Sequence, residues 1–119
     1  MIKILLAEDD SSMREYLARA LERVGYSVKA VGCGTEAMPL LEAESFDLLL
    51  TDIVMPGMDG IEVARQAAAR DPSLRIMFIT GFAAVALSAQ DRAPAGAKVL
   101  SKPVHLRDLV AEVEKMMAA

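Results

Sequence analysis

Three short segments of this chain are apolar without interruption: "ILLA" at 4–7, "LLL" at 48–50 and "IMFI" at 76–79. None shows the alternation of a half-buried strand, and each is too short for a buried helix. A short apolar run bounded by polar residues reads as a strand covered on both faces. Segments with helical spacing stand between them. The pattern predicts strands over 2–7, 26–31, 46–51, 74–80 and 98–101. It predicts helices over 11–25, 34–45, 60–71, 82–90 and 104–117. Strands alternating with helices imply a parallel sheet with helices on both sides. Right-handed crossovers favour a doubly wound α/β sheet of five strands in the order 2-1-3-4-5, the flavodoxin-like (βα)5 arrangement.

The helices carry their own signals. Met13, Leu17, Leu21 and Val24 form one stripe, with Ser11 or Ser12 as the expected cap and Gly25 as the stop. Leu106, Leu109, Val110 and Val113 are the expected inward stripe of the last helix. Pro39 removes a donor about one turn into the second helix, so that helix is expected to start late or kink. Phe82, Val85 and Leu87 crowd a short helix; either all three pack on the sheet, or some form an exposed apolar patch.

The 119 residues suit one domain, expected to span 1–119, with hydrophobic residues making up 54%. A net charge of −4, with 13 Lys and Arg scattered along the chain, argues against nucleic acid as the partner. No apolar run is long enough for a signal peptide or a membrane span. The single cysteine, Cys33, excludes an internal disulfide and fits a reducing compartment. A monomeric cytoplasmic protein is expected. Cys33 sits between two glycines with no base beside it, and a lone His105 reads as a solvated or capping residue.

The polar residues that end the strands carry the chemistry. Glu8 and Asp9 stand at the end of the first strand, Asp52 at that of the third, Thr80 at that of the fourth, and Ser101-Lys102 at that of the fifth. In the order 2-1-3-4-5 these strands are neighbours, and ligands bind beyond their carboxyl ends. One carboxylate after a strand is commonly a helix cap, but convergence of four strand ends is harder to dismiss. Glu8, Asp9 and Asp52 repel one another unless a cation intervenes. Mg²⁺ suits an oxygen-only donor set completed by phosphate. Lys102 offers a compact charge to a phosphate oxygen and Thr80 a hydroxyl. Asp52 is then placed as a nucleophile that accepts a phosphoryl group. The bond before Pro103 fits either a cis peptide, aiming Lys102 into the crevice, or an ordinary trans proline opening the last helix.

Asp52 followed by "IVMPGMDG", with "AEDD", "FITG" and "SKP" at the other strand ends, resembles the CheY-like receiver domain of bacterial response regulators. The likeness runs over nearly the whole chain. It implies Glu8 and Asp9 as the Mg²⁺-binding acidic pair, Asp52 as the phosphoacceptor, and the carbonyl of Val54 as a further metal ligand. It implies Thr80 as the switch hydroxyl, Lys102 as the phosphate-contacting lysine, and a cis bond after it. The phosphodonor would be a histidine kinase or a histidine phosphotransfer protein. The chain stops after the last helix, so a receiver without an output domain is expected, acting through its own surface.

The stretches "LLLTDIVMPGMDGIE", "IMFITGFAAVAL" and "AKVLSKPVHL" are similar to stand-alone alphaproteobacterial receivers. That likeness implies an adaptor for the ClpXP protease that engages ClpX and its substrates when unphosphorylated. A phosphorelay intermediate, or a CheY-like diffusible regulator with another target, uses the same site chemistry. Ala118-Ala119 resembles a degradation tag of the kind that protease reads, or is a frayed helix end. One departure stands out: three residues before Lys102, where many receivers carry an aromatic ring, this chain has Val99. The expected route for the signal is therefore Thr80 and the "GFAAVAL" segment, towards a face made by the last two helices and the last strand.

Two other chemistries fit less well. A haloacid-dehalogenase phosphatase would need a second acid at Val54. A flavodoxin-type FMN carrier would need a neutral phosphate loop where "EDDSS" stands.

Overall fold

A computed structural model describes residues 1–118, apart from the side chains of residues 83, 84 and 90. The elements in chain order are β1 (Lys3–Ala7), α1 (Ser11–Arg23), β2 (Ser27–Val31), α2 (Gly34–Ala43), β3 (Leu48–Asp52), α3 (Gly60–Arg70), β4 (Arg75–Thr80), α4 (Ala83–Arg92), β5 (Lys98–Ser101) and α5 (Leu106–Ala118). The strands form one parallel sheet in the order β2-β1-β3-β4-β5, as the alternation predicts.

The apolar runs divide their side chains between two cores because successive strand residues point to opposite faces. Leu5, Leu49, Ile76 and Phe78 face α2, α3 and α4, packing with Ala37, Ile61, Val63, Ala64, Ala67 and Ala89. Ile4, Leu6, Leu48, Leu50, Met77 and Ile79 face α1 and α5, packing with Leu17, Leu21, Leu109 and Val113. Every residue of β3 is buried, as a central parallel strand requires.

Several boundaries differ from the sequence reading. β3 begins two residues later than predicted and includes Asp52 as its last residue, while β4 begins one residue later and ends at Thr80 as predicted. Asp10, not a serine, caps α1: its Oδ1 accepts from the Met13 amide at 3.0 Å. Asp accepts this bond as well as Ser does, and "EDDSS" offers the backbone both. α2 runs from Gly34 through Pro39 instead of starting after it. Val24 lies past the end of α1 and is half exposed, so the buried stripe is Leu17, Ala20 and Leu21. Val110 is only partly buried, outside both cores, while Leu109 and Val113 point inward. α4 continues to Arg92, two residues beyond its predicted end.

The Lys102-Pro103 bond is cis, and α5 starts only at Leu106, so Pro103 does not open that helix. The His105 carbonyl accepts from the Leu109 amide at 3.0 Å, a capping position. Phe82 and Leu87 are 59% and 70% exposed while Val85 packs against the core, so the three do not all lie on the sheet. Of the Ala118-Ala119 pair, Ala119 lies outside the described residues. No helix among the described residues is long and apolar enough to cross a membrane.

The revised α1 stripe is testable by urea denaturation. Leu21→Ala, at a fully buried site, is expected to cost about 2–5 kcal/mol. Val24→Ala, at a half-exposed one, is expected to stay within about 0.5 kcal/mol of wild type.

Candidate functional site

Strand register decides which side chains meet. Ala7 of β1 lies beside Thr51, Asp52 beside Ile79, and Thr80 beside Ser101. Four neighbouring strands therefore end at one level, and the residues at their ends share a crevice.

Glu8 is the first residue past β1. Its amide donates to the Val31 carbonyl at 3.1 Å, extending the β1–β2 ladder by one rung. That rung holds its side chain inward, where the residue is only 2% exposed. Asp9, next in line, is exposed. Asp52 ends the rigid central strand and is 8% exposed. Glycine is required at Gly60 for this geometry: a Cβ there would stand 2.0 Å from the Asp52 carbonyl oxygen. α3 thus starts directly against the Asp52 backbone, and the Gly60 amide donates to the Ile53 carbonyl at 2.8 Å.

Lys102 closes the crevice from β5. Its amide donates to the Thr80 carbonyl at 2.7 Å, and its Nζ lies 2.8 Å from both Glu8 Oε1 and Asp52 Oδ2. Desolvation opposes the ammonium charge, but hydrogen bonds from Lys102 to Asp52 and Glu8 outweigh it, so its pKa is held above the ordinary value. Glu8 goes the other way. Burial raises its pKa, and the hydrogen bonds from Lys102 and the Asp10 amide recover only part of that. One lysine shared between two carboxylates leaves the more buried carboxylate under-compensated.

Carboxylate oxygens from Glu8, Asp9 and Asp52 lie within 4.8 Å of one another. Against them stands the Lys102 ammonium, so these four side chains carry a formal deficit of two charges. A divalent cation that takes oxygen ligands and retains several waters fits both the charge and the donor set. The sequence-predicted residues Glu8, Asp9, Asp52 and Lys102 are thus brought together. Val54 lies in the loop just beyond Asp52, with its side chain 47% exposed. Thr80 is 1% exposed, and its Oγ1 accepts from the Phe82 amide at 3.2 Å. Arg14 was not singled out from the sequence; its Nη1 donates to the Glu8 carbonyl at 2.8 Å. Only its place one turn into α1, behind the acidic pair, could have signalled this.

A family model described as the response regulator receiver domain matches residues 4–114. The chain is 62% identical over 119 residues to the Response regulator receiver protein CpdR of Brucella abortus, covering 100% of this chain and 99% of that one. A solved response regulator receiver protein from Sinorhizobium medicae WSM419 superposes with a TM-score of 0.93 at 31% identity, covering 99% of this chain and 95% of that one. Response regulator protein TrrA of Thermotoga maritima, solved in complex with Mg²⁺–BeF, gives a TM-score of 0.85 at 28% identity, covering 98% and 99%.

The raised Glu8 pKa sets a pH dependence. A carboxyl that holds its proton more tightly when folded stabilises the fold most below its unfolded pKa, near 4.5, and loses that contribution as pH rises through the folded value. In metal-free buffer with chelator, the stability of wild type relative to Glu8→Gln should therefore decline from pH 4.5 towards neutrality. Urea midpoints across that range measure it, and a flat difference contradicts it.

Proposed function

Because the chain belongs to the response-regulator receiver family of two-component systems, we propose that it is a phospho-switched regulator whose phosphoacceptor is Asp52. The supporting observation is the double contact of Lys102 with Glu8 and Asp52 beside an acidic group of metal-binding span. Mg²⁺ held by Glu8, Asp9, Asp52 and the Val54 carbonyl would neutralise charge on the phosphoryl oxygens.

The remaining chemistry belongs to the side chains. An Asp52 carboxylate oxygen attacks phosphorus in line, on the side away from the donor. The new O–P bond forms as the bond to the donor breaks, and the bonding pair leaves with the donor, an imidazole nitrogen where the donor is a phosphohistidine. Lys102 Nζ, already 2.8 Å from Asp52 Oδ2, transfers a hydrogen bond to a phosphoryl oxygen. The Thr80 hydroxyl donates to another. Contacts to a charged acceptor of this kind are the stronger class of hydrogen bond.

The signal then leaves through Thr80. Its hydroxyl oxygen accepts from the Phe82 amide at the head of α4, and Phe82, the N-cap, supplies no side-chain cap of its own. Turning the hydroxyl to the phosphoryl group withdraws that acceptor and loosens the start of α4. Phe82 and Leu87 stand exposed on that segment, so its movement changes an apolar surface without an aromatic at Val99. The proposed phosphodonor is a histidine kinase or a histidine phosphotransfer protein. We propose that the chain works in the cytoplasm by direct contact of its own receiver surface with partners. Its proposed role is as an adaptor that engages ClpXP and promotes substrate delivery when unphosphorylated. That role rests on the likeness of residues 48–62, 76–87 and 97–106 to stand-alone alphaproteobacterial receivers.

Incubation with a small phosphodonor and Mg²⁺ should add one phosphoryl group by mass spectrometry in wild type and none in Asp52→Asn. In a pull-down with the ClpX unfoldase, Asp52→Ala should bind constitutively and wild type should release on phosphorylation. Binding only by phosphorylated wild type contradicts the adaptor reading. Thr80→Ala should accept the phosphoryl group yet lose the phosphorylation-dependent change in partner binding; a retained change removes Thr80 and α4 from the signal path.

A further inference from the structure

The corner between β2 and α2 holds no carboxylate of the acidic group, yet it reaches both loops that carry the group. On one side it meets the loop 53–59, which follows Asp52 and contains Val54. Gly34 is the first residue of α2. A Cβ at Gly34 would stand 2.2 Å from the Met58 carbonyl oxygen, 3.1 Å from its carbon and 2.9 Å from Val63 Cγ2. The obstructing group is backbone, so no flexible side chain could yield to it. Next to it, Thr35 packs under Gly57: a Cβ there would lie 3.2 Å from Thr35 Cγ2, and Gly57 has φ +77°, a conformation open to glycine. Since Gly60 pins the other end of this loop against Asp52, α2 and α3 hold it from both sides.

On the other side the corner meets the loop after β1. Arg14 Nη1, which donates to the Glu8 carbonyl, would stand 3.1 Å from a Cβ on Gly32. Glu36 Oε1 would stand 3.3 Å from the same Cβ and accepts from the Gly32 amide at 2.9 Å. Gly32 is thus enclosed between the guanidinium that touches Glu8 and the carboxylate that caps the turn into α2.

We infer that the segment Gly32–Glu36, together with Arg14, is a positioning element of the phosphoacceptor site. It sets the Mg²⁺ affinity by fixing the Glu8–Asp9 loop and the Val54 loop relative to each other, and none of its side chains touches the ion. Contacts one layer outside a metal's ligands orient those ligands, and their loss costs about 10–100-fold in affinity. Arg14 supports the first loop through the Glu8 carbonyl, and Gly34 admits the second through the Met58 carbonyl. The inference rests on the reading of Glu8, Asp9, Asp52 and Val54 as the Mg²⁺ site.

Isothermal titration calorimetry with MgCl₂ tests it on the full chain and on the variants Gly34→Ala, Arg14→Ala and Arg14→Lys. Gly34→Ala and Arg14→Ala should bind Mg²⁺ about 10–100-fold more weakly, and Arg14→Lys should recover part of the loss. With acetyl phosphate as donor, both weakened variants should need more Mg²⁺ for half-maximal phosphorylation and approach the wild-type rate when Mg²⁺ saturates. A merely structural role would lower stability in chelator and leave that Mg²⁺ requirement unmoved. Should Gly34→Ala fail to fold by circular dichroism, the two Arg14 variants decide alone, since Arg14 is only half buried on α1. Affinity within twofold of wild type in every folded variant overturns this inference and leaves the proposed function standing. Absence of Mg²⁺ binding in wild type overturns both.

Discussion

β3 is buried along its whole length, and most of the molecule is arranged to keep it so. Leu48 and Leu50 need cover on one face and Leu49 on the other. A strand with two apolar faces cannot sit at an edge or beneath one helical layer, so helices must lie on both sides. The right-handed crossovers that supply those helices put β1 and β4 beside it. The same packing makes β3 the least movable element, and its last side chain, Asp52, inherits that rigidity. A side chain proposed as a nucleophile gains from being held in one geometry, since orientation lowers the cost of reaching the reactive arrangement.

Electrostatics at the strand ends works against the packing. Glu8 and Asp52 are almost out of water, and their charge is answered by one ammonium shared between them. A buried ion pair recovers desolvation only when geometry and hydrogen bonding are good, and the raised Glu8 pKa shows that recovery is partial. The crevice therefore carries an excess of negative charge that one further cation would answer. Thr80 ends the next strand, buried, while its side-chain oxygen serves the α4 backbone. It links a tightly packed strand to a helix that leaves Phe82 and Leu87 in water.

Much of this was legible in the sequence because it follows from periodicity. Strand-like apolar runs, helical spacing and crossover handedness together specify the sheet order. The site residues at four strand ends followed from that order. Where the reading missed, competing local signals were close in energy. Asp10, Ser11 and Ser12 are all good caps, and only the path of the chain selects Asp10. Val24 and Val110 fit helical stripes, yet both lie outside the two cores; a stripe reports spacing, not how far the neighbouring helix extends. Pro39 signals a late start or a kink, yet the helix starts at Gly34 and runs through it, since helix packing can outweigh the loss of one donor.

The sequence alone determined the fold and the strand ends at which Glu8, Asp9, Asp52, Thr80 and Lys102 stand, because strand burial and topology depend on patterns spread along the chain. Tertiary structure decided what those residues do to one another: that Lys102 bridges Glu8 and Asp52, that Thr80 serves α4, and that Arg14 and Gly34 brace the acidic loops. These are contacts between atoms far apart in sequence and only a few ångströms apart in space. Spacing along a chain places a residue on a face or at a strand end. It does not fix distances of 2 to 4 Å between side chains from different strands, and at that range charge, hydrogen bonding and steric exclusion are decided.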